Sequence, residues 1–182
     1  MKIKIFAPFL LLIIPFLSIA QHETAPKVET VTPFKNLFQF QNFYLAGQPT
    51  LEELEWLKSK GATKVVSLRS ESEISEFTGM AFNEEEVVGK LGMEFVHLPV
   101  DGQKDYTPEK LEAFARLLNH TDTIVVHCAG AGRVSDFMMA WLIKTQGYSV
   151  AEATEVGRQL KFSLPLEKLI GTKVTIRLLY FE

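Results

Sequence analysis

One stretch constrains this chain more than any other: Val125-Val126-His127-Cys128-Ala129-Gly130-Ala131-Gly132-Arg133. Its β-branched start, Thr123 to His127, suits a buried strand, and a turn of small residues then opens straight into the apolar helical pattern Val134 to Gln146, which should close at Gly147. A strand feeding a helix through so short a turn is half of a crossover unit, the building block of parallel sheets.

The rest of the chain repeats that alternation. Phe43 to Ala46 reads as a first strand, and Thr50-Leu51-Glu52-Glu53 is a capping box opening a helix that should stop at Gly61. Lys64 to Leu68 is a β-branched strand, Asn83 to Leu91 a helix ending at Gly92, and Glu94 to Leu98 a further strand. Thr107-Pro108-Glu109 caps a helix whose apolar face is Leu111, Phe114, Leu117 and Leu118, ending near His120. Ser149 and Glu152 form another capping box, while periodicity leaves Val174 to Phe181 open between helix and edge strand. The expected fold is α/β: three layers, with a mainly parallel sheet flanked by helices and ligands bound beyond the carboxyl ends of the strands.

The N-terminus has a different character. Lys2 and Lys4 precede an apolar run from Ile5 to Ile19 that ends at Ser18-Ile19-Ala20, the layout of a secretory signal peptide. The run is short for a membrane span and contains Pro8 and Pro15. The expected organisation is a signal peptide over 1–20 cleaved after Ala20, a flexible leader over 21–33, and a single domain over 34–182. The expected location is periplasmic or extracellular, soluble and free of the membrane after cleavage. In 182 residues with a net charge of −3 there is no electrostatic footprint for nucleic acid. One cysteine excludes an intrachain disulfide, and His22, His97, His120 and His127 show no ligand spacing, so neither metal nor cofactor is implied.

A lone thiol in an oxidising compartment calls for a chemical reason. Backbone N–H groups of Ala129, Gly130, Ala131 and Gly132, freed by glycine geometry, and the following helix N-terminus make an oxyanion cradle. Cys128 in that cradle, with Arg133 close by, is favoured as thiolate and nucleophile. Arg133 offers paired hydrogen bonds to two phosphoryl oxygens. His127 is expected to hold the loop through ring hydrogen bonds.

With His127, Cys128, the glycines and Arg133, this loop resembles the signature loop of cysteine-dependent protein tyrosine and dual-specificity phosphatases. The segments Tyr44-Leu45-Ala46-Gly47-Gln48-Pro49-Thr50, Val66-Ser67-Leu68-Arg69 and His97-Leu98-Pro99-Val100 are similar to recurring stretches of a bacterial branch, the beta-lactamase hydrolase-like phosphatase-like domains. The resemblance spans Phe34 to Gln159 and implies a protein tyrosine phosphatase-like fold. It also implies cleavage of phosphate monoesters through a phosphocysteine, on a phosphorylated small molecule or phosphoprotein. Val100-Asp101-Gly102 resembles the general-acid loop of dual-specificity phosphatases, making Asp101 the candidate acid and Asp105 its reserve.

Two departures matter. Four residues separate Cys128 from Arg133 where the usual phosphatase loop has five, a size shared with rhodanese-like sulfurtransferases. A Cys128 persulfide enzyme is therefore the catalytic alternative, and a catalytically idle phosphoryl-binding module the other. Val134 stands where typical phosphatases carry Ser or Thr, and Ser135 on a helix points elsewhere, so turnover of the intermediate is expected to be slow. Beyond the loop, Arg69 is poised between facing the pocket and an exposed ion pair with Glu71 or Glu73. Gln48-Pro49 reads as a turn, Glu84-Glu85-Glu86 as a solvated helix face, and Trp56 and Trp141 as core or partly buried aromatics.

Overall fold

The computed structural model describes residues 27–76, 80–161 and 166–173. The expected signal peptide, its cleavage point after Ala20, residues 21–26 of the leader and the segment Val174 to Phe181 lie outside the described residues. Six strands form one sheet: β1 (Glu29–Thr30), β2 (Leu37–Phe40), β3 (Phe43–Ala46), β4 (Ala62–Ser67), β5 (Glu94–His97) and β6 (Thr123–His127). Their spatial order is β1-β2-β3-β6-β4-β5. The four strands β3, β6, β4 and β5 run parallel, as the alternating pattern requires, and an antiparallel β1-β2 ribbon extends β3 to make the sheet mixed.

Side chains on a strand point alternately to opposite faces, and β6 shows the consequence. Ile124 and Val126 join Phe43, Leu45, Val66 and Leu68 on one side of the sheet, whereas Val125 joins Tyr44, Ala46 and Val65 on the other. Helices α1 (Leu51–Ser59) and α3 (Glu84–Lys90) cover the second face through Leu54, Leu57 and Val88. The first face carries α4 (Pro108–Leu117), α5 (Gly132–Thr145), α6 (Val150–Gln159) and α7 (Leu166–Ile170). Every residue of α5 from Val134 to Leu142 is buried, because this helix lies between the sheet and the outer helices. Its apolar character on all sides has that cause. Trp141 is core, packed edge-on against Phe43.

The capping boxes form as expected: Thr50 with Glu53 and Ser149 with Glu152 exchange both hydrogen bonds, and Thr107 caps α4 with Pro108 in its first turn. Several elements were not anticipated, α7 and a single helical turn over Gly102–Asp105 among them. Leu37–Phe40 pairs with Phe43–Ala46 across the two-residue turn Gln41-Asn42, with Gln41 at φ 54°. A short helix, α2 (Glu71–Ser75), opens on a third capping box made by Ser70 and Glu73. The leader boundary at residue 33 also shifts: Glu29 and Thr30 pair with β2, Val28 is buried, and the Val28 N–H donates to Gln159 Oε1 at 3.0 Å. Those backbone and apolar contacts attach residues 28–30 to the domain.

Candidate active site

The carboxyl ends of β4 and β6 finish side by side, with Ser67 opposite His127. The loop that leaves β6 is rooted on both neighbours: Cys128 N–H donates to the Ala46 carbonyl at 3.3 Å, and Leu68 N–H donates to the His127 carbonyl at 2.8 Å. Gln48 N–H reaches the Ala129 carbonyl at 3.2 Å, and Gly47 bridges Gly130. A Cβ on Gly47 would stand 3.3 Å from the Ala129 oxygen. Close approach of two backbones is what glycine supplies there.

Within the loop, the left-handed residue is Ala131, at φ 70°, and neither Gly130 nor Gly132 has a positive φ. The expectation that glycine geometry shapes the cradle is corrected accordingly. An L-residue held in this region costs about 1–2 kcal/mol, a strain sustained here where Ala131 itself is buried. Glycine contributes open space instead, since a Cβ on Gly130 would meet nothing within 4 Å. Ala131 is also the N-cap of α5 and makes no side-chain cap, so the first-turn N–H groups stay available to an anion.

Cys128 is buried at the start of this loop. Arg133, in the first turn of α5, swings toward β4 and α2. Its Nη1 donates to Glu73 Oε2 at 2.7 Å, Val100 O at 2.8 Å and Leu68 O at 3.0 Å, and its Nη2 donates to Glu73 Oε1 at 2.8 Å. Burial alone would lower the Arg133 pKa, but the Glu73 hydrogen bonds, with help from Cys128, carry it above its ordinary value. The same bonds hold the Glu73 carboxyl down at about 2. Cys128 and Arg133 are thus brought together, and Glu73 fixes the guanidinium.

Behind the loop, three buried side chains and the half-buried Gln48 form a polar chain. Glu84 Oε1 lies 3.3 Å from His127 Nε2 and accepts from Gln48 Nε2 at 3.0 Å, while Gln48 Oε1 accepts from Arg69 Nη1 at 2.8 Å. Glu84 therefore does not sit on a solvated face: the helix turns its first glutamate inward and leaves Glu85 and Glu86 outside. Burial pushes the Glu84 carboxyl up to about 7, against the pull of Gln48 and Arg69. Burial also lowers the His127 ring to about 3, which keeps it neutral. The hydrogen bonds expected of that ring are replaced by contact with Glu84; neither ring nitrogen meets hydrogen-bond geometry among the described residues. Arg69 is buried, not exposed, and Gln48 joins this chain rather than serving only a turn.

The candidate acids stand apart from Cys128. Asp101 has a side chain 57% exposed and paired with Lys104, and its N–H donates to Asp105 Oδ2 at 2.7 Å. Neither carboxylate is hydrogen-bonded to Cys128 among the described residues. Val134 and Ser135 are both buried, and Ser135 Oγ has no hydrogen-bond partner among the described residues. No three His, Cys, Asp or Glu side chains cluster as metal ligands among the described residues.

A parallel-sheet core with a buried cysteine and a carboxylate-held arginine spanning one strand-to-helix loop defines the cysteine-dependent tyrosine and dual-specificity phosphatase superfamily. Residues 17–167 match the family described as DSP-PTPase phosphatase fused to NAD+ kinase, and the chain belongs to that family. Among solved structures it is similar to a DUF442 protein of Shewanella putrefaciens CN-32 described as a candidate phosphatase. That match has 25% identity, covers 67% of this chain and 77% of that one, and has a TM-score of 0.54. A phosphotyrosine complex of TpbA from P. aeruginosa, with cysteine replaced by serine, shares the fold at 17% identity, over 76% and 80% of the two chains, with a TM-score of 0.60. Tk-PTP in its active form does so at 22% identity, over 65% and 79%, with a TM-score of 0.54. No curated protein matches the chain.

Proposed function

We propose that this phosphatase-family protein hydrolyses phosphate monoesters through a phosphocysteine on Cys128. The observation that carries the reading is the pairing of Cys128 with an Arg133 already oriented by Glu73 across a loop whose helix N-terminus is uncapped. With Nη1 and one Nη2 hydrogen engaged, Arg133 presents Nε and the other Nη2 hydrogen to two phosphoryl oxygens. Backbone N–H groups of residues 129–132 receive the remaining charge.

Cys128 Sγ attacks phosphorus, the ester P–O bond breaks, and the leaving oxygen takes a proton from Asp101. Water then attacks the phosphocysteine, giving its proton to Asp101 as the S–P bond breaks and releasing inorganic phosphate and the Cys128 thiolate. Asp101 has to leave Lys104 and turn inward when substrate binds, a movement that its exposed position allows. Val134 offers no hydroxyl to the departing thiolate, so hydrolysis of the intermediate is the slow step.

Substrates are phosphorylated small molecules or phosphoproteins; the phosphotyrosine held by TpbA is one model for the dianion. Lys2, Lys4 and the Ile5–Ile19 run support export to the periplasm or beyond, followed by cleavage after Ala20. Family membership favours phosphate esters over the sulfur-transfer alternative. The test is p-nitrophenyl phosphate hydrolysis across pH beside thiosulfate-to-cyanide sulfur transfer. Phosphate release whose basic limb disappears in Asp101→Asn supports the reading, and thiocyanate formation without phosphate release overturns it.

A further inference from the structure

The segment that bears the candidate acids is fastened at both ends to one face of α5. At its start, the buried Val100 offers its carbonyl to Arg133 Nη1 at 2.8 Å. At its end, the buried Tyr106 donates its hydroxyl to Asp136 Oδ2 at 2.6 Å and packs its ring edge-on against Phe137. Arg133 and Asp136 are three residues apart on a helix and so share a face. Between the two anchors, Asp101 to Lys104 are exposed and Asp105 is half-buried.

Asp136 is 1% exposed. A carboxylate so placed is a poor device for stability, because an apolar side chain of similar volume commonly serves as well or better. Tyr106 shares the buried cluster of Cys128, and burial followed by the Asp136 hydrogen bond raises its pKa, so the phenol stays a donor throughout the working range. The Tyr106 hydroxyl and Asp136 therefore read as a fixed latch, with the phenol as its standing donor.

We propose that Tyr106 is a positioning residue for proton donation: its hydroxyl, held by Asp136, fixes the far end of the 101–105 segment on the helix that presents Arg133, and so sets where the acid arrives. This rests on the phosphatase reading above. A loose end at Tyr106 leaves nucleophilic attack intact and misplaces the proton donor, and misplacement is felt most where the leaving oxygen depends on that proton.

The experiment compares kcat/KM, which reports cysteine attack and departure of the leaving group even when breakdown of the intermediate is slow, for p-nitrophenyl phosphate, whose leaving group needs little protonation, and for phenyl phosphate, whose leaving group needs more. In Tyr106→Phe the phenyl phosphate rate should fall about tenfold further than the p-nitrophenyl phosphate rate. Asp136→Asn, which keeps an acceptor oxygen for the Tyr106 hydroxyl, should show little of that extra loss. If Tyr106→Phe does not fold, Asp136→Leu removes the acceptor while filling its volume and carries the same comparison. Equal losses on both esters, or no loss, would overturn the proposal whatever happens to the thermal midpoint. A wild-type protein silent on both esters would overturn the phosphatase reading itself, and this proposal with it.

Discussion

Glu73 and Arg133, 60 residues apart in sequence, meet in a two-pronged ion pair with N–O distances of 2.7 and 2.8 Å. Glu73 reaches that position because the Ser70 capping box starts α2 where β4 ends, with the same Glu73 carboxylate also accepting from Ser70 N–H at 2.7 Å. One side chain thus closes a helix turn and aims a guanidinium.

Glu73→Gln should weaken both jobs. The neutral amide keeps one acceptor, so kcat/KM should drop by about tenfold, and stability by about 1–3 kcal/mol as charge-assisted bonds are lost. Because the folded carboxyl sits at about 2 against an ordinary 4.5, its stabilisation is complete above about 4.5 and fades as pH falls through about 2. Urea unfolding at pH 7 and near pH 2 should therefore show a large gap between wild type and variant at the first and a small one at the second.

Glu84 behaves in the opposite sense. Its folded carboxyl at about 7 lies above the ordinary 4.5, so the folded state holds the proton more tightly than the unfolded chain. Its contribution is full below about 4.5 and declines as pH rises to about 7, by an amount on the order of 3 kcal/mol. Glu84→Gln abolishes that titration. Thermal midpoints followed from pH 5 to pH 8 should move in the variant's favour over that interval, and parallel curves would contradict the buried-carboxyl account.

Gly157 marks the contact between α6 and α5. An added Cβ would stand 2.0 Å from Met139 Sδ and 3.0 Å from Met139 Cε, and the Met139 side chain that would have to move is fully buried. Gly157→Ala should destabilise the domain by about 1–3 kcal/mol despite alanine's better helix propensity. Chemical denaturation reads this directly, and a gain in stability would mean that the two helices separate easily.

The parallel core was legible because β6 and its neighbours are β-branched runs bounded by glycine and capping boxes, signals that are local in sequence. The Leu37–Phe40 hairpin and α2 carried such signals too: apolar residues on either side of Gln41-Asn42, and Ser70-Glu73 at capping-box spacing. Cys128 and Arg133 could be read from one loop. Glu84 could not, since nothing distinguishes it from Glu85 and Glu86 until the sheet shows which way α3 faces. Tyr106 and Asp136 meet only because helix α5 and the segment before α4 pack together, a relation between elements that periodicity does not encode. Ala131 shows the limit of composition reasoning, for the left-handed position fell on the residue between two glycines.

The central claim, that Cys128 carries the phosphoryl group, is tested most directly by acid-quenching the protein during turnover of p-nitrophenyl phosphate and locating covalent phosphate by mass spectrometry. The account predicts a phosphocysteine at Cys128, with neither adduct nor phosphate release in a folded Cys128→Ser. Phosphate release that survives Cys128→Ser, or an adduct on another residue, would contradict it.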